Sequence, residues 1–365
     1  MSAAILGAAA AALRLLPPEM AHELAIFGLR AGLIGTHARG VDPCLSVRMG
    51  GLVLPHPIGL AAGFDKDARA LAPLLRLGFS LVEAGSVTPL AQSGNARPRL
   101  FRLREDRALI NRMGFNNAGL EAFAARLQNR KGRPGIIGAN IGANKTSQDR
   151  AGDYLTGLER LWPLADYFTI NISSPNTPGL RGLQAPAVLD ELLGRVMAAR
   201  ECKAAGGTSR PIFVKIAPDI AEDDLAAIVA RLVANQVDAI AVSNTTLARP
   251  GLDGIADATE AGGLSGRPLF HRSTVMLARV YQLTAGRVPL IGIGGIDSPG
   301  SASAKIEAGA TLLQLYTGLI YEGPGLIGAI KSHLAEAVQH SGKSSITALA
   351  GAKAVNEDFA GAMLP

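Results

Sequence analysis

Residues 58–87 read IGLAAGFDKDARALAPLLRLGFSLVEAGSV, which is an apolar segment, an amphipathic segment and a second apolar segment. The apolar segments Ile58–Gly63 and Leu81–Val87 have the length and the branched side chains of buried strands. Between them, Asp67–Leu77 has the apolar spacing that is typical of a helix. The stretch therefore predicts a strand–helix–strand unit whose two strands are parallel and fully buried.

The same alternation continues as far as residue 316. Helical periodicity recurs at 187–200, 221–235 and 301–308. Eight strands in this pattern predict an α/β fold, a closed (β/α)8 TIM barrel with an N-terminal helical extension. An open doubly wound sheet would carry a glycine-rich phosphate signature after its first strand, where this chain reads AAGFDK. The six further predicted strands are Gly135–Ile141, Tyr167–Ile172, Ile212–Ile216, Ala239–Val242, Leu290–Ile296 and Leu312–Tyr316.

Three segments depart from this alternation. Leu45–Pro55 (LSVRMGGLVLP) predicts a hairpin that turns at Gly50–Gly51, placed to close the bottom of the barrel. The alternating first half of Arg97–Asn117 predicts a second hairpin, between strands 2 and 3 of the barrel. Ala248–Arg267 is a glycine-rich insertion between strands 6 and 7.

The chain divides into three parts. Residues 1–40 predict a helical extension, because the Pro17–Pro18 pair breaks a largely apolar stretch into two short helices. Such a pair either packs on the core or lies in a membrane interface, and the sequence leaves both possibilities open. Residues 41–340 hold the barrel, and residues 341–365 form a tail to which we assign no function. No apolar run reaches the roughly 18–20 residues of a spanning helix.

The composition excludes several classes of protein. Of the 365 residues, 48% are hydrophobic and 18% are charged, which is too apolar a composition for a disordered chain. The net charge of +6 is mild, and the basic residues are not interleaved with aromatic ones, so we expect no nucleic-acid partner. Cys44 and Cys202 cannot by themselves hold an iron–sulfur cluster or a tetrahedral zinc ion, so we predict no metal site.

Polar residues collect at the carboxyl ends of the predicted strands, where barrel enzymes carry their chemistry. Serine, threonine and asparagine at such positions also serve as helix caps. Lys215 is harder to explain in that way, because a lysine inside the run IFVKIAP is costly to bury unless it meets a negative group. The residues at these ends include Lys66, Ser86, Asn140, Asn171, Ser174, Lys215, Ser243 and Asn244.

The last two strands predict a phosphate site. GIGGIDS (292–298) opens a helix after strand 7, and Tyr316-Thr317-Gly318 follows strand 8. Backbone N–H groups in these two loops form the usual phosphate site of a barrel. A phosphate beside a ring of Asn, Lys and Ser indicates either flavin mononucleotide (FMN) or a sugar phosphate, and the residues alone do not decide between them.

A more specific resemblance rests on eight motifs that follow one another without large gaps. Together they resemble dihydroorotate dehydrogenase. Ser174 and the N-terminal extension resemble the membrane-associated, quinone-dependent class 2 enzymes. The resemblance covers about residues 1–340. The motifs are AAGFDK (61–66), GSVTP (85–89), INRMGFNN (110–117), NISSPNTPGLR (171–181), VKIAPD (214–219), SNTT (243–246), GGLSG (262–266) and IGIGGIDS (291–298).

The resemblance implies FMN as the cofactor. Many related enzymes carry threonine where this chain has Ser86 and Ser243, and both residue types supply a hydroxyl. Lys215 would stabilise the negative charge of the reduced ring. The residues implied to hold FMN are Ala62, Gly63, Lys66, Ser86, Asn140, Asn171, Lys215, Ser243, Gly266, Gly295, Tyr316 and Thr317.

The resemblance also implies the reaction, which is oxidation of (S)-dihydroorotate to orotate in de novo pyrimidine biosynthesis. Ser174 would be the catalytic base that takes the C5 proton, and a membrane quinone would be the final electron acceptor. His22 and Arg102 would line the quinone tunnel. The residues implied to bind substrate are Lys66, Asn111, Arg112, Met113, Gly114, Phe115, Asn171, Asn176, Asn244 and Thr245.

For partners and location, the resemblance implies peripheral membrane contact through the N-terminal helices and no iron–sulfur subunit. In a bacterium the location would be the cytoplasmic side of the inner membrane. Two alternatives stay open. One is a soluble class 1-like enzyme that uses fumarate or NAD, against which Ser174 in place of cysteine argues. The other is a non-catalytic FMN-binding barrel, whose polar loops only cap helices.

Overall fold

The eight predicted strands form a closed barrel. The structure is a computed structural model that describes residues 11–33, 40, 42–252 and 256–355. In chain order its strands are β1 (Val47–Met49), β2 (Leu52–Leu54), β3 (Ile58–Leu60), β4 (Leu81–Val87), β5 (Leu100–Leu103), β6 (Ala108–Asn111), β7 (Ile136–Ile141), β8 (Tyr167–Asn171), β9 (Ile212–Ile216), β10 (Ala239–Val242), β11 (Gly263–Gly266), β12 (Leu290–Ile293) and β13 (Ala310–Leu315). Eight of these strands form the barrel, in the order β10–β12–β13–β3–β4–β7–β8–β9, and neighbouring strands are parallel.

Helices cover the outside of the barrel, and local chemistry explains where several begin. Helix α8 starts at a capping box between Ser298 and Ser301, and α6 carries three acidic residues in its first turn, beside the positive end of its dipole. No helix of the described ranges is long and apolar enough to cross a bilayer. The helices are α1 (Pro18–Arg30), α2 (Leu71–Arg76), α3 (Leu120–Gln128), α4 (Arg150–Leu161), α5 (Pro186–Ala205), α6 (Glu222–Ala234), α7 (Phe270–Thr284), α8 (Pro299–Glu307), α9 (Thr317–Glu322) and α10 (Gly325–Ser341).

Two of the predicted strands end three residues before their predicted carboxyl ends. Strand β12 ends at Ile293 rather than at Ile296, because Gly294 and Gly295 have φ angles of 103° and 71°, outside the range of a strand. Strand β3 ends at Leu60, before the loop that carries Lys66. Both differences lengthen the loops at the same end of the barrel, where the polar residues lie.

A second sheet lies at the carboxyl end of the barrel. The predicted hairpin forms as β5 and β6, which are antiparallel. The glycine-rich insertion supplies a third strand, β11, which pairs with β6 and was not predicted. Leu100, Leu109 and Ser265 of this sheet lie on the wall of the cavity described below. The sheet therefore covers part of the barrel mouth.

The opposite end of the barrel is closed as predicted. Strands β1 and β2 form a hairpin that turns at Gly50–Gly51, both with positive φ. A Cβ atom on Gly50 would lie 2.6 Å from Cβ of Pro211, the residue before β9. The hairpin is thus packed closely against the amino ends of the barrel strands.

The N-terminal extension is present where it is described. Residues 11–13 are helical, residues 14–17 are not, and α1 begins at Pro18. Helix α1 buries Ile26 and Leu29 against the barrel. Residues 1–10, 34–39 and 41 lie outside the described residues, so most of the first predicted helix does too.

The first part of the predicted tail belongs to the packed structure. Ile346 and Ala354 are buried, and a Cβ atom on Gly351 would lie 2.2 Å from the ring of Tyr281 on α7. Lys353 forms an ion pair with Glu307 at 2.9 Å. Residues 341–355 therefore continue the barrel domain, and residues 356–365 lie outside the described residues.

Candidate active site

A deep cavity opens among the carboxyl ends of the barrel strands. It holds about 1270 Å³ of empty space, its open mouth included. The predicted site residues on its wall are His22, Ala62, Gly63, Lys66, Ser86, Asn111, Met113, Gly114, Phe115, Asn171, Ser174, Asn176, Lys215, Ser243, Asn244, Thr245, Gly266, Gly295, Tyr316 and Thr317.

Three predicted site residues are not on this wall. Asn140 is fully buried behind the wall, where it forms hydrogen bonds with Asn171 and Glu83. Arg112 points away, toward Glu260 at 2.6 Å and over the ring of Phe101. Arg102 donates 2.6 Å to the carbonyl of Arg14, so it fastens the segment before α1 to the mouth of the barrel.

Ser174 lies in a loop that is held down from two sides. Its side chain is buried, and its Oγ accepts a 3.3 Å hydrogen bond from the backbone N–H of Asn176. Arg181 donates 3.1 Å to the carbonyl of the preceding Ser173. On the outer side, a Cβ atom on Gly263 of β11 would lie only 3.1 Å from Pro175. The loop therefore presents Ser174 at a sheltered position on the cavity wall.

A chain of buried amides and hydroxyls links the neighbouring strand ends. Asn171 donates through Nδ2 to Ser86 Oγ at 2.9 Å and to Asn140 Oδ1 at 3.1 Å. Asn171 Oδ1 accepts a hydrogen bond from Ser173 Oγ at 2.8 Å, and Ser173 Oγ in turn accepts one from Asn244 Nδ2 at 2.9 Å. Each side chain is thus held in one orientation by the next, which is how a site reads a fixed pattern of donors and acceptors.

Glu83 is the carboxylate whose charge acts on Lys215. Burial lowers the pKa of Lys215, and the Glu83 carboxylate acts in the opposite direction. Glu83 is buried inside the barrel and accepts hydrogen bonds from four side chains. Asn171 and Lys215 are partners in the register of β8 and β9, so the lysine stands beside the amide chain. The donors to Glu83 are Asn140, Tyr167, Thr169 and Gln314.

A second lysine lies on the side of the cavity nearest α1. Lys66 Nζ donates 2.8 Å to the carbonyl of Gly63, and burial, with the charge of Arg99, lowers its pKa to about 8. His22 of α1 contacts Phe64 edge-on at 5.4 Å between ring centroids. Burial, followed by the charge of Lys66, lowers the pKa of His22 to about 3. At neutral pH this side of the cavity therefore combines a charged lysine with a neutral imidazole.

The predicted phosphate loops meet at the far end of the cavity. A Cβ atom on Gly318 would lie 2.1 Å from the carbonyl oxygen of Ile296, so the loops after β12 and β13 are in direct contact. A Cβ atom on Gly295 would lie 2.4 Å from Cβ of Phe270. Only glycine fits there, and its main chain faces the cavity.

Two buried oxygens on the wall test whether a flavin fits. Within the described residues, Thr245 Oγ1 and Gln314 Oε1 have no hydrogen-bond partner. Buried polar atoms are nearly always satisfied, so such atoms on a cavity wall indicate a polar ligand. Together with the glycine loops and two lysines, they fit a phosphate-bearing ligand with a polar ring, such as a flavin.

Sequence reasoning missed several residues of the site. Glu83 interrupts the apolar strand LVEAGSV just as Lys215 interrupts IFVKIAP, so the same burial argument could have identified it. Gln314 lies in an apolar strand in the same way. Glu19 and Ser265 reach the wall from α1 and β11, and nothing in their local sequence indicates this.

Comparison with known proteins gives a consistent result. Residues 44–338 match the family model described as dihydroorotate dehydrogenase. Curated relatives from Brucella ovis and Brucella abortus, each called dihydroorotate dehydrogenase (quinone), are 54% identical over 332 residues, 91% of this chain and 91% of each relative. A crystal structure of DHODH in complex with ferulenol from Eimeria tenella superposes with a TM-score of 0.87 at 36% identity, covering 92% of this chain and 95% of that one. The ligand-free form from the same organism gives 0.87 at 37% identity, covering 92% and 99%.

Proposed function

The chain belongs to the dihydroorotate dehydrogenase family, and on that premise we propose that it oxidises (S)-dihydroorotate to orotate with FMN as hydride acceptor and a quinone as final acceptor. The observation that carries this proposal is the convergence of Ser174, Lys66 and Lys215 with the amide chain in one cavity. The reaction would serve de novo pyrimidine biosynthesis.

The flavin is proposed to be FMN, with its phosphate at the two glycine loops. Gly295, Thr317 and Gly318 line that end of the cavity, and Lys215 and Ser86 line the deeper part. When bound, the flavin supplies hydride acceptance from C6, which no amino-acid side chain can perform. Lys215 would balance the negative charge of the reduced ring.

Substrate recognition follows from the remaining wall. Lys66 would pair with the substrate carboxylate, and a cation that is mostly protonated at neutral pH suits that role. Asn244 lies at the end of the amide chain, and Asn176 is held by Asn111 at 3.3 Å, so both present oriented amides to a pyrimidine. Ser174 would take the C5 proton as its own hydroxyl proton passes to solvent through a hydrogen-bonded relay, and the N–H of Asn176 would stabilise the negative charge on its oxygen during that transfer.

The electron acceptor separates this proposal from its class 1-like alternative. We expect the reduced full-length protein to turn over with a quinone and to show little turnover with fumarate or NAD. The names of the curated relatives and the serine at position 174 support this expectation. The measurement is steady-state oxidation of dihydroorotate with each acceptor in turn. Faster turnover with fumarate or NAD than with quinone would identify the class 1-like enzyme, and no turnover with any acceptor would favour a binding-only barrel.

Helix α1 is proposed to dock on a membrane surface, at the inner membrane if the cell is bacterial. The helix buries Ile26 and Leu29, while its apolar residues Met20, Leu24 and Phe27 are exposed. Phe27 is 61% exposed, which is unusual for so large an apolar side chain. Because His22 of the same helix reaches the cavity, docking would bring the cavity mouth close to a lipid-dissolved quinone.

The double variant Leu24→Glu, Phe27→Glu should lose membrane binding while keeping the dihydroorotate half-reaction. Both side chains are partly exposed, so about 2 kcal/mol of apolar contact is lost, or roughly 30-fold in vesicle affinity. Vesicle co-sedimentation and turnover with a long-chain quinone would measure the effect. Val53→Glu is the control, because Val53 is an exposed apolar residue at the opposite end of the barrel. Unchanged vesicle binding in the double variant would rule out docking through α1.

A further inference from the structure

Lys305 is a fully buried lysine that the proposed reaction does not use. It lies on α8 with none of its surface exposed. Its Nζ donates 2.6 Å to Ser273 Oγ, lies 3.5 Å from the carbonyl oxygen of Ile293, and stands 5.4 Å from the ring centroid of Phe270. None of the ion pairs formed by the described residues includes it. Burial lowers its pKa well below the usual lysine value, with no carboxylate acting in the opposite direction.

The position of Lys305 is directly behind the predicted phosphate loop. Its two hydrogen-bond neighbours both touch that loop: Ile293 precedes Gly294, and Ser273 Oγ, which donates to the carbonyl of Leu269 at 2.8 Å, also lies 3.2 Å from the carbonyl oxygen of Gly294. A Cβ atom on Gly294 would lie 2.9 Å from the same Ser273 oxygen. Gly294 itself lines the cavity. One layer of main chain therefore separates the ammonium group from the cavity.

Within the described part of the chain, the end of the cavity near the glycine loops has no charged side chain of its own to balance a phosphate. The side chains that line it nearest the glycine loops, Ser265, Leu269 and Thr317, are uncharged. Nearby Arg267 and Arg107 are ion-paired with Asp297 and Glu322. A phosphate held there would carry up to two negative charges, and backbone N–H groups alone would have to balance them. A buried cation without a protein anion and an anion site without a lining cation complement each other.

We propose that Lys305 is the positioning cation of the flavin phosphate, which it stabilises through the Gly294–Gly295 loop and Ser273 without touching it. This inference rests on the proposed flavin function and adds to it a residue outside the cavity wall. It also accounts for the cost of burying a lysine, because the bound phosphate supplies the missing counter-charge. Lys305 should therefore favour flavins that carry a phosphate over those that do not.

The test is competition between FMN and riboflavin, which differ by the phosphate. Full-length protein is equilibrated with mixtures of the two flavins, and the bound ratio is measured after separation. In Lys305→Met, which keeps the length of the side chain, the preference for FMN over riboflavin should fall about 5–150-fold, the usual range of coupling between two sites. Lys353→Met, which removes a lysine from an exposed ion pair, should leave the preference unchanged.

Thermal unfolding separates this role from a merely structural one. Without a bound phosphate, burial of the Lys305 amino group costs free energy that no counter-charge offsets, so flavin-stripped Lys305→Met should unfold at the same or a higher temperature than wild type. Added FMN should raise that temperature less than it does for wild type. An unchanged preference for FMN, or an equal loss of both flavins with a lower unfolding temperature, would overturn the proposal. Either result would leave the flavin assignment intact, because wild-type binding of FMN tests that separately.

Discussion

Ser174→Ala should reduce its bound flavin about 10²–10⁴-fold more slowly than wild type when it is mixed with dihydroorotate. The reason is that Ser174 is the sheltered hydroxyl at the end of β8, on the wall of the cavity that holds Lys66 and the amide chain. Its oxygen accepts the Asn176 N–H, which would stabilise the negative charge left there as the hydroxyl proton departs and before the C5 proton is fully transferred. Orotate affinity should change little, since the substrate-reading amides stay in place. Anaerobic stopped-flow absorbance measures the single-turnover rate.

The control for this variant has to leave the amide chain intact. Ser173, the neighbouring serine, is off the cavity wall, but its Oγ joins Asn171 to Asn244, so its removal would disturb the amide chain. Thr156→Val is the better control, because Thr156 is exposed on α4 and its Oγ1 donates to the carbonyl of Gly152 in the same helix at 2.9 Å. Equal flavin-reduction rates in Ser174→Ala and Thr156→Val would show that Ser174 is not the base. Ser174→Cys should recover part of the rate, increasingly as pH rises and the thiolate forms.

Lys215→Met should bind flavin less tightly and lower its reduction potential. A hydrogen bond to a charged group contributes about 1.5–3 kcal/mol, which corresponds to a potential roughly 30–60 mV more negative for a two-electron couple. The sign follows from charge: the reduced ring is anionic, so removing the cation destabilises it relative to the oxidised ring. Spectroelectrochemical titration of the bound flavin would measure the shift.

Lys145→Met makes the same charge change outside the cavity and serves as its control. Lys145 lies exposed in the loop after β7, and its Nζ contacts Asn95 Oδ1 at 3.4 Å. Its variant should keep the wild-type potential and flavin content. If Lys215→Met also keeps both, Lys215 does not interact with the flavin.

The barrel was predictable because buried parallel strands have near-continuous apolar sequences. Leu81–Val87, Ile212–Ile216 and Ala239–Val242 occur with the predicted bounds. Strand β11 was not predictable in the same way, because GLSG is too short and too rich in glycine to show a period, and its pairing with β6 joins residues far apart in sequence. The packing of residues 341–355 likewise depends on contacts with α7 and α8 rather than on a local pattern.

The candidate site was predictable where a charged residue interrupts an otherwise apolar strand. Lys215 was found in this way, and Glu83 obeys the same logic. The side-chain directions of Arg112 and Arg102 could not be predicted, because a motif position does not fix the direction of a long side chain. Both point to partners outside the cavity, Glu260 and the carbonyl of Arg14.

The most direct test of the central claim is an anaerobic absorption spectrum of the purified full-length protein before and after adding dihydroorotate. We expect a flavin spectrum whose long-wavelength bands bleach on addition, with about one orotate formed per flavin reduced, and which returns when quinone is added. A flavin spectrum that dihydroorotate leaves unchanged would contradict the proposed reaction and leave only a flavin-binding barrel. Absence of any flavin spectrum after reconstitution with FMN would contradict the assignment of the cavity itself.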